Sequence, residues 1–124
     1  MSKIQTVQKD NLLEGSSSPG ITRQLAFKGE GCLVIRSRSN PGVISGWHHH
    51  GDYDVYGYVV SGSVRFESNT GEEDAVSLGP GDFFHVPPYT VHREINQSSQ
   101  NGEVILFLRG TGPLVTNAND PGQA

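Results

Sequence analysis

Cysteine, methionine and tryptophan occur once each in this 124-residue chain, and charged residues make up only 18% of it. The lone Cys32 excludes an internal disulfide. Its place in Cys32-Leu33-Val34-Ile35 predicts a small buried hydrophobe rather than a reactive thiol. Nine basic residues face thirteen acidic ones, for a net charge of −4, and the basic ones are scattered. No basic stripe exists to neutralise phosphates, which excludes nucleic acid as the partner. No apolar run approaches the roughly 20 residues of a membrane-spanning helix, so no membrane partner is expected. The first ten residues lack the apolar segment of a signal peptide, and a cytoplasmic location is expected. Helical periodicity is missing too. No stretch repeats its apolar residues at 3.6-residue spacing.

Glycine and proline are plentiful instead, at sixteen and seven. They punctuate short β-branched and aromatic runs, the pattern of an all-β barrel or sandwich in a single domain. Residues 1–20 read as a polar arm or an edge strand, 21–110 as the barrel, and 111–124 as a turn-rich tail, ill-ordered beyond Leu114-Val115. Strands are expected at Thr22–Phe27, Cys32–Ser37, Val43–His50, Val55–Val60, Ser63–Ser68, Ala75–Leu78, Asp82–Val86, Val91–Asn96 and Glu103–Arg109. Ser61-Gly62 reads as a hairpin turn, and Asn69–Glu73 as a loop. Val104–Leu108 is continuously apolar, which suits a strand buried on both faces.

Three of the five histidines stand in a row at His48-His49-His50, followed by Gly51-Asp52-Tyr53-Asp54, and His92 returns about forty residues later. On a strand, residues two apart point to one face, so His48 and His50 can reach a common point while His49 turns away. Neutral imidazoles in such a pattern suit Fe(II), Zn, Ni and Cu. Glu94, two residues after His92, shares its face and is a candidate catalytic carboxylate. His85 is a candidate to line the pocket or act as acid/base, or else a supporting or surface residue. Gly57 leaves space on the face shared by Val55 and Val59, which would widen a pocket. Tyr53, Tyr56, Tyr58 and Tyr89 are expected to pack.

The spacing resembles the two motifs of the cupin family. Gly42, five residues, His48-His49-His50 and a closing Gly62 match the first. Gly81, Pro87, His92 and Asn96 match the second, with Tyr89 in place of its glycine. The family's glutamate position falls on Val55. Asp54 is adjacent, but one residue of slip turns a strand side chain to the other face, so Asp54 would join only if the turn were bulged. The resemblance implies a single all-β cupin jelly-roll barrel that pairs into a homodimer. It also implies a three-histidine site, His48, His50 and His92, for one divalent transition metal: Fe(II) first, with Zn, Ni, Mn or Cu as alternatives. It further implies a small-molecule substrate. Three neutral facial ligands leave positions open for substrate and O₂, so a non-haem dioxygenase for a small chelating substrate is the leading expectation. A non-redox cyclase, isomerase or lyase, or a binding module without catalysis, stands beside it.

Overall fold

The computed structural model describes residues 3–68 and 71–121. These residues form no helix, and hence no helix long and apolar enough to cross a membrane. They form strands β1 (Leu13–Glu14), β2 (Ile21–Gly29), β3 (Cys32–Ser39), β4 (His48–His49), β5 (Asp54–Ser61), β6 (Val64–Ser68), β7 (Gly71–Leu78), β8 (Phe83–Val86), β9 (His92–Ile95), β10 (Gly102–Arg109) and β11 (Thr116–Asn117). Two antiparallel sheets face each other. One runs β1-β2-β3-β10-β5-β8 and the other β11-β4-β9-β6-β7. This is the jelly-roll barrel.

Alternation fixes which side chains fill it. Val55 and Val59 on β5, and Leu106 and Leu108 on β10, point inward with Ile35 and Tyr53. Each such side chain, fully buried, contributes roughly 1.5–3 kcal/mol of transfer free energy. Gly57, between the two valines, does not widen a pocket: the Phe84 ring lies over its Cα, where any Cβ would collide.

Several expectations fail for physical reasons. Ser61-Gly62 is not a hairpin turn. β5 pairs with β10 and β8, whereas β6 pairs with β7 and β9, so this corner carries the chain from one sheet to the other. Gly62 makes the corner at φ 72°, and a Cβ there would meet Asn101 O at 2.8 Å. Of the expected loop at 69–73, positions 69 and 70 lie outside the described residues, while Gly71 already opens β7. The expected long strand Val43–His50 shrinks to His48–His49 plus a single bridge from Ile44 to Ile95. Cys32 is half-buried rather than buried.

Val104–Leu108 is covered on one face only. Ile105 and Phe107 are 36% and 43% exposed, beside Tyr56 and Tyr58 on β5, with Phe83 on β8 at 75%. The outer face of the six-stranded sheet is therefore apolar and aromatic. The tail is ordered past Leu114-Val115, because Thr116 and Asn117 pair with His49 and His48.

Candidate metal centre

His48 and His50 flank the end of β4, and their rings lie 5.0 Å apart, as the two-residue period requires. His92 enters through strand register: it is the cross-strand partner of His48, which brings their rings to 4.4 Å. His50 and His92 are again 5.0 Å apart. All three are buried, and one ring nitrogen of each lies within 4.8 Å of the others.

Backbone carbonyls fix which nitrogen that is. His48 Nδ1 lies 2.9 Å from Gly46 O, His50 Nδ1 2.8 Å from Leu114 O, and His92 Nδ1 2.8 Å from Thr90 O. A carbonyl only accepts, so each Nδ1 carries the proton and donates it. Each neutral ring then offers its Nε2 lone pair, with orientation and tautomer already set. Among the described residues, His48 Nε2 is buried with no hydrogen-bond partner. Such an orphan costs about 1–3 kcal/mol, which a cation at the centre would offset. The donor set fits a divalent transition metal, and the three histidines can hold one.

Electrostatics keeps His50 and His92 neutral. Burial, then the neighbouring His92, lowers the His50 pKa to about 3 despite the raising effect of its bond to Leu114. His92 is lowered as well, chiefly by burial and by His48. Deprotonated imidazoles are the form a metal requires.

The other candidates disperse. Asp54 points to the outer face, where Oδ1 meets His85 Nε2 at 2.8 Å, and His85 stacks on Tyr56 at 4.5 Å. Neither reaches the cluster. Val55 takes the inward position and is buried. Glu94 stays on the side of His92 and meets Arg23 Nη2 at 3.7 Å. His49 turns away and accepts a hydrogen bond from Gly51 N.

Two cavities flank the cluster. One of about 220 Å³ has Phe66, Ser68, Phe84, His85, Thr90 and His92 in its lining, so His85 borders the cavity beside His92 although its ring pairs with Asp54. The other, about 640 Å³, includes Ser18, Arg23, Trp47, His48 and Asn117. Arg23 escaped notice in the sequence, although Ile21, Arg23 and Leu25 share one face of β2 and so aim an arginine inward with two apolar residues. The tail was missed too; nothing in its composition marks Leu114 O as the brace of His50.

A sequence profile of the cupin domain matches residues 36–112, more than half of the chain. The chain belongs to the cupin family. Among solved cupin-like structures, KdgF from Halomonas is 24% identical, covering 87% of this chain and 96% of its own, with a TM-score of 0.73. The polyketide cyclase RemF from Streptomyces resistomycificus is 15% identical, with 96% and 90% covered and a TM-score of 0.77. A curated relative, a glucose-6-phosphate isomerase of Thermococcus kodakarensis, is 32% identical over 65 residues, 49% of this chain. This cupin spans only 33% of that enzyme's length.

The departures from the cupin motifs now have structural accounts. Tyr89 stands at the motif glycine and keeps a glycine's backbone, φ 57°. Its N–H donates to Gly51 O at 2.9 Å, tying the second motif to the first. The motif's Asn96 is a structural hub. Its Nδ2 lies within 3.3 Å of Ser39 O, Asn40 O and Gln100 O, and its Oδ1 accepts from Ser98 N and Oγ.

Proposed function

We propose that this cupin is a mononuclear metalloenzyme in which His48, His50 and His92 hold a divalent transition metal and act on a small anionic substrate. The observation that carries the reading is the convergence of three Nε2 lone pairs on buried histidines, each pre-set by an Nδ1–H bond to a backbone carbonyl. A metal held there would supply Lewis-acid polarisation of a substrate oxygen or, as Fe(II), electrons for O₂ chemistry. The chain's own groups do the rest. Phe66 and Phe84 line the smaller cavity and limit water beside His92. Glu94, on the face of His92, is our candidate to take or return a substrate proton.

Chemistry without net redox change, of the isomerase, cyclase or lyase kind, is the reading we favour. Glu94 on the face of His92 supports it, as do a polyketide cyclase among the structural neighbours and a glucose-6-phosphate isomerase among the relatives. One observation supports a dioxygenase instead: Val55 at the family's glutamate position leaves an all-neutral ligand set, which suits non-haem iron with open positions. We also infer a homodimer, since the aromatic outer sheet face is exposed in the single chain.

Elemental analysis of purified protein tests the centre. We expect close to one transition metal per chain, most of it lost in His50→Ala and His92→Ala and retained in His49→Ala and Asp54→Ala. Full metal in His92→Ala overturns the centre. Substrate turnover by Zn-loaded protein under argon supports the non-redox reading. Oxygen uptake that needs both Fe(II) and substrate, and disappears in His92→Ala, supports the dioxygenase.

A further inference from the structure

Arg23 is an unusual residue to find inside this barrel. It is 3% exposed, on the inward face of β2 between Ile21 and Leu25. Taking a guanidinium out of water costs several kcal/mol unless its donors are well matched. Among the described residues its polar partners are few. Nη1 donates to Ser18 Oγ at 3.1 Å, and Nη2 faces Glu94 Oε1 at 3.7 Å. The second distance is beyond hydrogen-bonding range, which ends near 3.2 Å for N–H···O. Glu94 itself is 22% exposed. A guanidinium carries five N–H donors in a planar fork that matches a carboxylate or phosphate edge. One hydroxyl bond and one loose ion pair leave most of that fork unmatched.

The rest of the geometry says where a match would come from. Arg23 and His48 line the same cavity of about 640 Å³, walled by Ser16, Ser17, Ser18 and Asn117. The charge of Arg23 also acts on His50 and His92, lowering both. A divalent cation on three neutral imidazoles, together with Arg23, outweighs the one carboxylate of Glu94 and makes the cavity electropositive.

We propose that Arg23 is the anion anchor of this cavity: the substrate carries a carboxylate or phosphate that docks on the guanidinium while another of its oxygens faces the histidine cluster. The anchor rests on the metal-centre reading for the second contact but not for the first. Arg23 is a binding residue here, and it fixes the substrate class as small oxyanions rather than neutral molecules. Glu94 competes for the same guanidinium and releases it when the anion arrives.

Calorimetric titration of the full chain, metal-free and Zn-loaded, with malonate, inorganic phosphate and neutral malonamide tests this. Wild type should bind at least one anion at least tenfold more tightly than malonamide, and which anion it prefers separates carboxylate from phosphate substrates. Charge-assisted bonds to Arg23 make the expected loss in Arg23→Gln on the order of tenfold to a hundredfold, with zinc content unchanged and a partial recovery in Arg23→Lys. Glu94→Gln should move the other way and tighten the anion, an effect that a purely structural ion pair does not predict. Should Arg23→Gln fail to fold, Glu94→Gln decides. Equal anion affinity in wild type and Arg23→Gln, an unchanged or weaker affinity in Glu94→Gln, or no anion binding by wild type each overturns the anchor. Arg23-dependent anion binding in protein that takes up no zinc upholds the anchor and sinks the metal centre instead.

Discussion

Acid should destabilise the metal-free protein well above the range where its carboxylates titrate, and His50 is the reason. Unfolded, its imidazole titrates near 6.5; folded, burial and His92 bring it to about 3. Between those values the unfolded chain binds the proton and the folded chain does not, so stability falls as pH falls. The contribution of the neutral ring is fully present above pH 6.5 and erodes from there down to about pH 3. At pH 5 the unfolded ring is almost wholly protonated and the folded one almost wholly neutral. The loss relative to pH 7.5 is then about 1.5 pH units at 1.36 kcal/mol each, or about 2 kcal/mol. His92, lowered as well, adds a loss of the same sign. For a domain of this size 2 kcal/mol corresponds to about 6–10 °C in Tm. The assay is urea and thermal unfolding of chelator-treated protein at pH 7.5 and pH 5, followed by far-UV circular dichroism. His50→Gln, which cannot titrate, is the control. Wild type should lose about 2 kcal/mol more than the variant across that interval. Equal losses would refute the claim that the folded site holds His50 neutral.

Other outcomes follow from single residues. Asn96→Ala strands the carbonyls of Asn40 and Gln100 and the Ser98 N–H that the side chain now serves, and should cost about 2–4 kcal/mol in chemical unfolding; a loss under 1 kcal/mol would mean water replaces it. Tyr89→Gly removes a left-handed strain of roughly 1–2 kcal/mol and adds glycine's chain entropy of roughly 0.5–1 kcal/mol. Because Tyr89 is 66% exposed, Tm should hold or rise by a few degrees, and a clear fall would show that its ring, 5.7 Å from that of His49, matters more. Phe107→Lys on the outer sheet face should shift sedimentation from dimer to monomer with zinc content unchanged; a dimer that survives it lies elsewhere.

What could be read in advance depended on how local the governing physics was. His48 and His50 share a face because a strand alternates, and nothing distant can alter that. Val55 inside and Asp54 outside follow from the same period, so the missing carboxylate ligand was legible as well. The Ser61-Gly62 corner was misread because a tight turn between two strand-like runs looks the same whether the second strand returns to its own sheet or crosses to the other. Partners decide that, and the partners of β5 are β10 and β8, which lie far along the chain from the turn. Val104–Leu108 failed for a related reason. A continuous apolar run reports two faces that avoid water, not what covers each of them, and in the single chain the Ile105–Phe107 face is bare. The tail shows the limit most plainly. Leu114 contributes to the histidine cluster through a carbonyl that every residue possesses, so no residue type at that position could have announced it; only the pairing of Thr116 and Asn117 with His49 and His48 brings the chain back to where that oxygen meets His50. Side chains that hold the site were visible from spacing, whereas the backbone that aims them belongs to the closed barrel.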